Sequence, residues 1–314
     1  MAFPKDKEKT ARKKMITEDM AEAGREGWLI EVTGGPNLEC DTCKDYTYDD
    51  LVDDYWPASV AAALSYSERD GALKRNPSLD KADYVGFSNG CRAALDALSE
   101  HGNGYSNNWK IENTNGTLNT DTSLPASLID TFVGVGCLGA FERSSEFSTC
   151  MKKYGDQLFT HFQNKNDEHI TSGELRKELL TLAPPLSLCW RMVRFLKEGE
   201  GPVSKNLLAQ YLTWIKLSTD QQPANGLSLN KLMILEGSER GKFTNNSDDD
   251  VVTTNDAQSI YDNINANQKF YFSNFYQHNL IPSSKRNKEL IEKMLNNKTF
   301  TRSEVETYVK QKNY

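Results

Sequence analysis

The segment Asp83-Tyr84-Val85-Gly86-Phe87-Ser88-Asn89-Gly90 limits what this chain can fold into more than any other part of it. Its first residues read as a short buried strand. Cys91 to Gly102 read as a helix, with Ala94, Leu95 and Leu98 turned inward and Gly102 at its end. The join is Gly86-x-Ser88-x-Gly90, a serine flanked by glycines. Glycine at those positions permits a strained strand-to-helix turn that lifts the serine hydroxyl clear of a sheet. The five-residue pattern alone is weak; a strand before it and a helix after it make Ser88 a candidate nucleophile.

Strand-like and helix-like stretches alternate on either side. Asp6 to Ala23 reads as a helix through Met15, Ile16, Met20 and Ala23, stopped by Gly24, and GWLIEV (Gly27 to Val32) as a buried strand ended by Gly34, Gly35 and Pro36. Thr47 with Asp50 forms a helix start, continued by the apolar face Leu51, Val52, Tyr55, Val60, Ala63 and Leu64, with Pro57 as a kink or restart. Gly102 to Asp121 reads as a long loop, and IDTFVGVGCLG after it as a further buried strand.

From Glu142 to about Gly226 the pattern turns to charged helices: MKKYGDQLFTHF, SGELRKELLTL, CWRMVRFLKEG and SKNLLAQYLTWI, interrupted at Pro184–Pro185 and Gly199–Pro202. KLMILEGS (Lys231 to Ser238) and KFYFS (Lys269 to Ser273) resume the strand pattern, and NKELIEKML supplies a late helix. Such alternation predicts an α/β fold, a mostly parallel sheet with helices on both faces. Its core would be 1–141 and 231–314, with 142–230 a helical insert. Phe159, Phe162, Leu188, Trp190, Phe195, Leu212 and Trp214 of the insert would line an acyl-chain pocket, build the insert's own core, or divide between the two.

Charge and cysteine content narrow the function. Lys+Arg 37 against Asp+Glu 44 give a net charge of −7, which disfavours an unspecific nucleic-acid or anionic-membrane binder. The longest apolar stretch, Phe132 to Phe141, is far short of a membrane span, and MAFPKDKEKTARKK has no signal-peptide core, so the chain as written reads as soluble. Six cysteines are too few for a disulfide scaffold of this size; Cys40 and Cys43 form the one CxxC, read as free thiols or a local disulfide rather than a zinc site. Asp41, Asp45, Asp49, Asp50, Asp53 and Asp54 lack the spacing of a calcium loop and read as a solvated helix start. The N-x-[ST] matches at Asn115, Asn245 and Asn297 do not settle the compartment. No metal or cofactor is expected.

A serine nucleophile on such a turn takes its acid and then its histidine from loops after later strands. After KLMILEGS comes SDDDVVTTNDA, and after KFYFS comes NFYQHNLIPSS with His278. His161 and His169 fall in the insert and His101 at a helix end, positions read as surface or cap.

With these residues the chain resembles the α/β-hydrolase superfamily, in particular its lipase-like and esterase-like members, over about 6–141 and 231–300, with the insert where that superfamily carries its lid. The resemblance implies Asp249, before Asp250-Val251-Val252, as the acid, with Asp248 and Asp250 as rivals. It implies a serine hydrolase cleaving carboxylic esters, a lipase or carboxylesterase acting on a small-molecule or lipid ester; thioesterase, peptidase and acyltransferase chemistry share the triad. The alternative is a catalytically idle hydrolase-fold binding protein. One oxyanion donor would be the backbone N–H of Asn89.

The second donor in this fold follows the superfamily's third strand. With GWLIEV as strand four, that strand falls upstream of Met1, and Ala2 and Phe3 would be remnants of the donor loop. An upstream segment or a second chain would then complete the sheet, leaving a one-strand gap between Leu29–Val32 and Tyr84–Gly86. The rival, Gly34-Gly35 as the donor loop, requires a further strand between Pro36 and Lys81.

Overall fold

The structure, a computed structural model, describes residues 16–22, 24–30, 45–60, 63, 82–101, 111–112, 118–119, 129–137, 139, 146–164, 169–182, 189, 203–217, 226–237, 252, 254–274 and 285–296. In chain order these form α1 (Ile16–Glu22), α2 (Tyr48–Asp50), β1 (Ala82–Phe87), α3 (Asn89–His101), β2 (Ile111–Glu112), β3 (Leu118–Asn119), β4 (Ile129–Val135), α4 (Glu146–Gln163), β5 (His169–Ile170), α5 (Ser172–Leu182), β6 (Val203–Ser204), α6 (Lys205–Leu217), β7 (Ser228–Gly237), α7 (Thr254–Asn263), β8 (Asn265–Asn274) and α8 (Lys285–Leu295).

β1, β4, β7 and β8 lie side by side in that order, every pair parallel. Parallel neighbours need a crossover between them, and α3 and α7 supply two of these links. One face of the sheet presents Val133, Val135, Met233, Leu235 and Phe272 to Leu290, Ile291, Met294 and Leu295 of α8 and to Met20 of α1. The other presents Phe132, Leu232 and Ile234 to Cys91, Ala94, Leu95 and Leu98 of α3 and to Ala257 and Ile260 of α7. Burial on both faces explains why the two central strands, β4 and β7, read as apolar runs rather than as alternating ones. The α/β class with helices on both faces is the one read from the sequence.

The described helices between 142 and 230, expected to form an insert, share the core of the sheet. Leu158 and Phe162 of α4, Leu179 of α5 and Leu207, Leu208 and Ile215 of α6 belong to the same buried cluster as α3 and the sheet, with Leu212 and Trp214 packed against it. Phe159 is half-buried, whereas Leu188, Trp190 and Phe195 lie outside the described residues. The predicted helix start at Thr47 is a full capping box: the Thr47 hydroxyl accepts from the Asp50 N–H at 3.2 Å, and Asp50 accepts from the Thr47 N–H at 2.7 Å. A π-turn, Leu51–Tyr55, follows immediately before Pro57, where a missing N–H breaks the helical ladder.

The described part of GWLIEV forms no strand, with Trp28 and Leu29 45% and 51% exposed, and no backbone ladder joins it to β1 among the described residues. A four-residue apolar run becomes a strand only where a partner supplies the ladder. Here a side chain fixes the segment instead: the Arg25 guanidinium donates to the Leu295 carbonyl and to the Asp83 carboxylate on β1. Within the stretch read as a loop, β2 and β3 form a two-residue antiparallel pair. The cysteines outside the CxxC are paired, Cys91 with Cys137 and Cys150 with Cys189. Spacing alone cannot reveal such a pairing.

Candidate active site

Ser88 sits at the turn between β1 and α3 with φ +52°, the only non-glycine residue at positive φ among those described. An L side chain in that region is crowded by its own backbone, so the position is held by its surroundings. The Ser88 N–H donates to the Val135 carbonyl at 2.9 Å, extending the β1–β4 ladder by one step. The Ser88 carbonyl then accepts from the N–H groups of Cys91 (3.1 Å) and Arg92 (3.2 Å), which starts α3 at once. The chain reverses within one residue, and Ser88 stays half-buried.

Two glycines make the reversal possible. A Cβ on Gly86 would lie 2.7 Å from the Cys91 Cα, against backbone that cannot step aside. Gly134 pairs with Gly86 in register, and a Cβ there would lie 2.8 Å from the Cys91 Sγ and 2.9 Å from the Ile234 Cδ1. The adjacent glycines form a trough into which the first turn of α3 sinks, and the Cys91–Cys137 disulfide closes over it. Beneath the turn, Tyr84 donates its hydroxyl to the Gly90 carbonyl at 2.9 Å, its ring packed between Trp56 and Phe132. Burial raises the Tyr84 phenol above its ordinary pKa, so it remains a donor.

Phe87, Val135, Leu235 and Phe272 occupy one row across the sheet. All four strands are parallel, so β7 and β8 end at the same edge as Ser88, about 10 and 14 Å away at ordinary strand spacing. Asp249 and His278 follow those strands, but both lie outside the described residues, as do Asp248, Asp250, Ala2, Phe3, Gly34, Gly35, Cys40, Cys43, Asn115, Asn245 and Asn297. Ala2 and Phe3 can be remnants of a donor loop only if GWLIEV is a strand, and its described part, Gly27 to Ile30, is not one. Of the other histidines, His161 lies on α4 with its Nδ1 3.3 Å from Glu178, His169 begins β5, and His101 ends α3.

Several contacts at the turn carry no sequence signal. α6 crosses the start of α3: the Tyr211 hydroxyl donates to the Asn89 Oδ1, and the Arg92 guanidinium lies 5.1 Å from the Trp214 ring centroid and 5.2 Å from that of Tyr48. Buried Arg92 also donates to the Gly139 carbonyl at 3.0 Å. Burial first, and then the Asp96 carboxylate to which its hydroxyl donates, push the Tyr48 phenol well above its ordinary pKa. On the far side, buried Asp256 at the start of α7 packs against Gly139, where a Cβ would meet its own Cβ at 2.7 Å. At the end of β7, buried Glu236 accepts from the Tyr271 hydroxyl at 2.7 Å. These contacts join segments far apart in the chain, beyond the reach of local spacing.

Of the carboxylates near Thr47, Asp50 caps α2 and Asp49 accepts from Gln210 at 2.9 Å. Among the described residues no group of His, Cys, Asp and Glu gathers as a metal site, and no helix is long and apolar enough to cross a membrane.

No protein-family model matches the chain, and no curated protein matches it. Solved structures with an α/β-hydrolase fold align along most of it. A meta-cleavage product hydrolase from Pseudomonas fluorescens aligns over 86% of this chain and 79% of its own, with 14% identity and a TM-score of 0.41. An α/β fold family hydrolase from Bacillus anthracis aligns over 84% and 80%, with 10% identity and a TM-score of 0.39. An esterase from Mycobacterium tuberculosis aligns over 85% and 75%, with 12% identity and a TM-score of 0.34. The fold assignment stands on the parallel sheet and the turn at Ser88 in this chain itself.

Proposed function

We propose that the chain is a serine hydrolase that cleaves carboxylic esters through Ser88, His278 and Asp249. The observation that carries this reading is the left-handed backbone of Ser88 on a strand-to-helix turn bedded on Gly86 and Gly134. A glycine would fill that backbone position without strain, so a serine there calls for a use of its hydroxyl. In the reaction, Ser88 Oγ attacks the ester carbonyl carbon while His278 takes its proton. The tetrahedral intermediate collapses to an acyl-enzyme as His278 returns the proton to the departing alcohol. Water, deprotonated by His278, then attacks the acyl carbon, and the bond to Ser88 Oγ breaks to release the acid as His278 returns the proton to Ser88 Oγ. Asp249 keeps the imidazole in the right tautomer and stabilises its protonated form. The Asn89 N–H, at the head of α3 where helical amides have no intrahelical acceptor, stabilises the developing oxyanion.

The insert 142–230 serves as the lid over this site. Its support is the docking of α6 on the first turn of α3 through Tyr211 and Trp214. An apolar cover of this kind excludes water and gives an acyl chain a wall to lie against.

The test is kinetic. Ser88→Ala and His278→Ala should each lower kcat on a short-chain p-nitrophenyl ester by about 10⁴-fold or more with circular dichroism unchanged, because triad members act as a unit. Activity within tenfold of the unaltered protein in either variant would refute the assignment.

A further inference from the structure

Resting on the roles given above to Ser88 and Asn89, we propose that Tyr211 is a positioning residue: from the insert helix α6 it holds the Asn89 side chain and so fixes the backbone N–H that binds the oxyanion. The Ser88 carbonyl and the Asn89 N–H belong to one planar peptide unit and point in opposite directions. The carbonyl end is tied into α3 by the Cys91 and Arg92 amides at 3.1 and 3.2 Å. That leaves rotation of the unit to be resisted at the Asn89 Cα, whose side chain ends on the Tyr211 hydroxyl.

Tyr211 is itself delivered by a fixed helix. Gln210, its neighbour on α6, accepts from the Tyr48 N–H at 2.7 Å and donates to Asp49 at 2.9 Å. Asn206, one turn earlier, donates to the Asp45 carbonyl at 2.7 Å. The Tyr211 ring packs 5.9 Å from Tyr48 and 5.7 Å from Trp214, centroid to centroid. Asn89, Arg92 and Asp96 share one face of α3, so this second layer grips the oxyanion helix along two turns. A hydrogen-bond donor aimed at a developing charge works best when it cannot reorganise, and loosening one costs rate rather than binding.

The experiment uses the full chain and p-nitrophenyl butyrate. Tyr211→Phe removes the hydroxyl and keeps the ring; kcat should fall about tenfold with KM within twofold. Asn89→Ala should give a loss of similar size, and the double variant should be no worse than the more impaired single one, since both remove the same link. The proposal is overturned if kcat for Tyr211→Phe stays within twofold of the unaltered protein, if the loss falls on KM, or if the two losses multiply. Should Tyr211→Phe fail to fold, Asn89→Ala alone decides, and a loss confined to KM contradicts the proposal. Covalent reaction of a fluorophosphonate with Ser88 separates the two levels. An unreactive Ser88 in the unaltered protein overturns the nucleophile reading and this proposal with it. A reactive Ser88 that labels at the same rate in Tyr211→Phe overturns only the role of Tyr211.

Discussion

At the scale of single residues, Ser88 is the one non-glycine residue among those described whose backbone goes against its local preference. A residue with a Cβ at φ +52° costs about 1 kcal/mol that glycine would not incur. Ser88→Gly should therefore unfold at higher urea than Ser88→Ala, by about 1 kcal/mol, while both are inactive. Equal midpoints would mean that the turn relaxes in solution. This residue was legible because its whole signal is local: two glycines, a strand and a helix within a short stretch of chain. Tyr211 was not, because its partner Asn89 is 122 positions away. Gly134 was equally hidden, since nothing in IDTFVGVG shows that it will stand beside Gly86.

Among the elements, the two central strands β4 and β7 could be read from sequence because burial on both faces makes each a near-continuous apolar run, whereas the outer strands β1 and β8, only half-buried, were legible from the short apolar runs DYVGF and KFYFS. α7 could not: its sequence is polar except for the few side chains, such as Ala257 and Ile260, that it turns to the sheet. GWLIEV misled for the converse reason, since an apolar run too short to show a period takes its conformation from its neighbours. The Cys91–Cys137 disulfide ties the head of α3 to the end of β4 across 46 residues. A cross-link spanning that separation restricts the unfolded chain by about 4 kcal/mol in the chain-entropy account. Replacing both cysteines by alanine should lower stability by an amount of that order, read from urea unfolding, and should loosen the turn that carries Ser88. A loss under about 1 kcal/mol would show that packing in the glycine trough holds α3 without the bridge.

For the molecule as a whole, β1, β7 and β8 end at one edge of the sheet, where the proposed chemistry would take place. Tyr48 is buried and Tyr84 and Tyr271 are half-buried, and each phenol is raised above its ordinary pKa chiefly by burial. Below the unfolded tyrosine value of about 10, both states are protonated and this contribution is fully present. Above it the unfolded chain releases protons that the folded chain retains, so stability must fall as pH rises past about 10. Urea midpoints should drop between about pH 9.5 and 11, with tyrosinate absorbance from these residues appearing together with unfolding. A flat midpoint across that range would mean that the phenols are solvated. The central claim, that this sheet edge presents an activated serine, is tested most directly by treating the intact protein with a fluorophosphonate probe and locating the adduct by peptide mass. The account predicts a single adduct on Ser88, absent in Ser88→Ala and slowed by about 10³-fold or more in His278→Ala. An unmodified Ser88, or labelling that persists in Ser88→Ala, would contradict it.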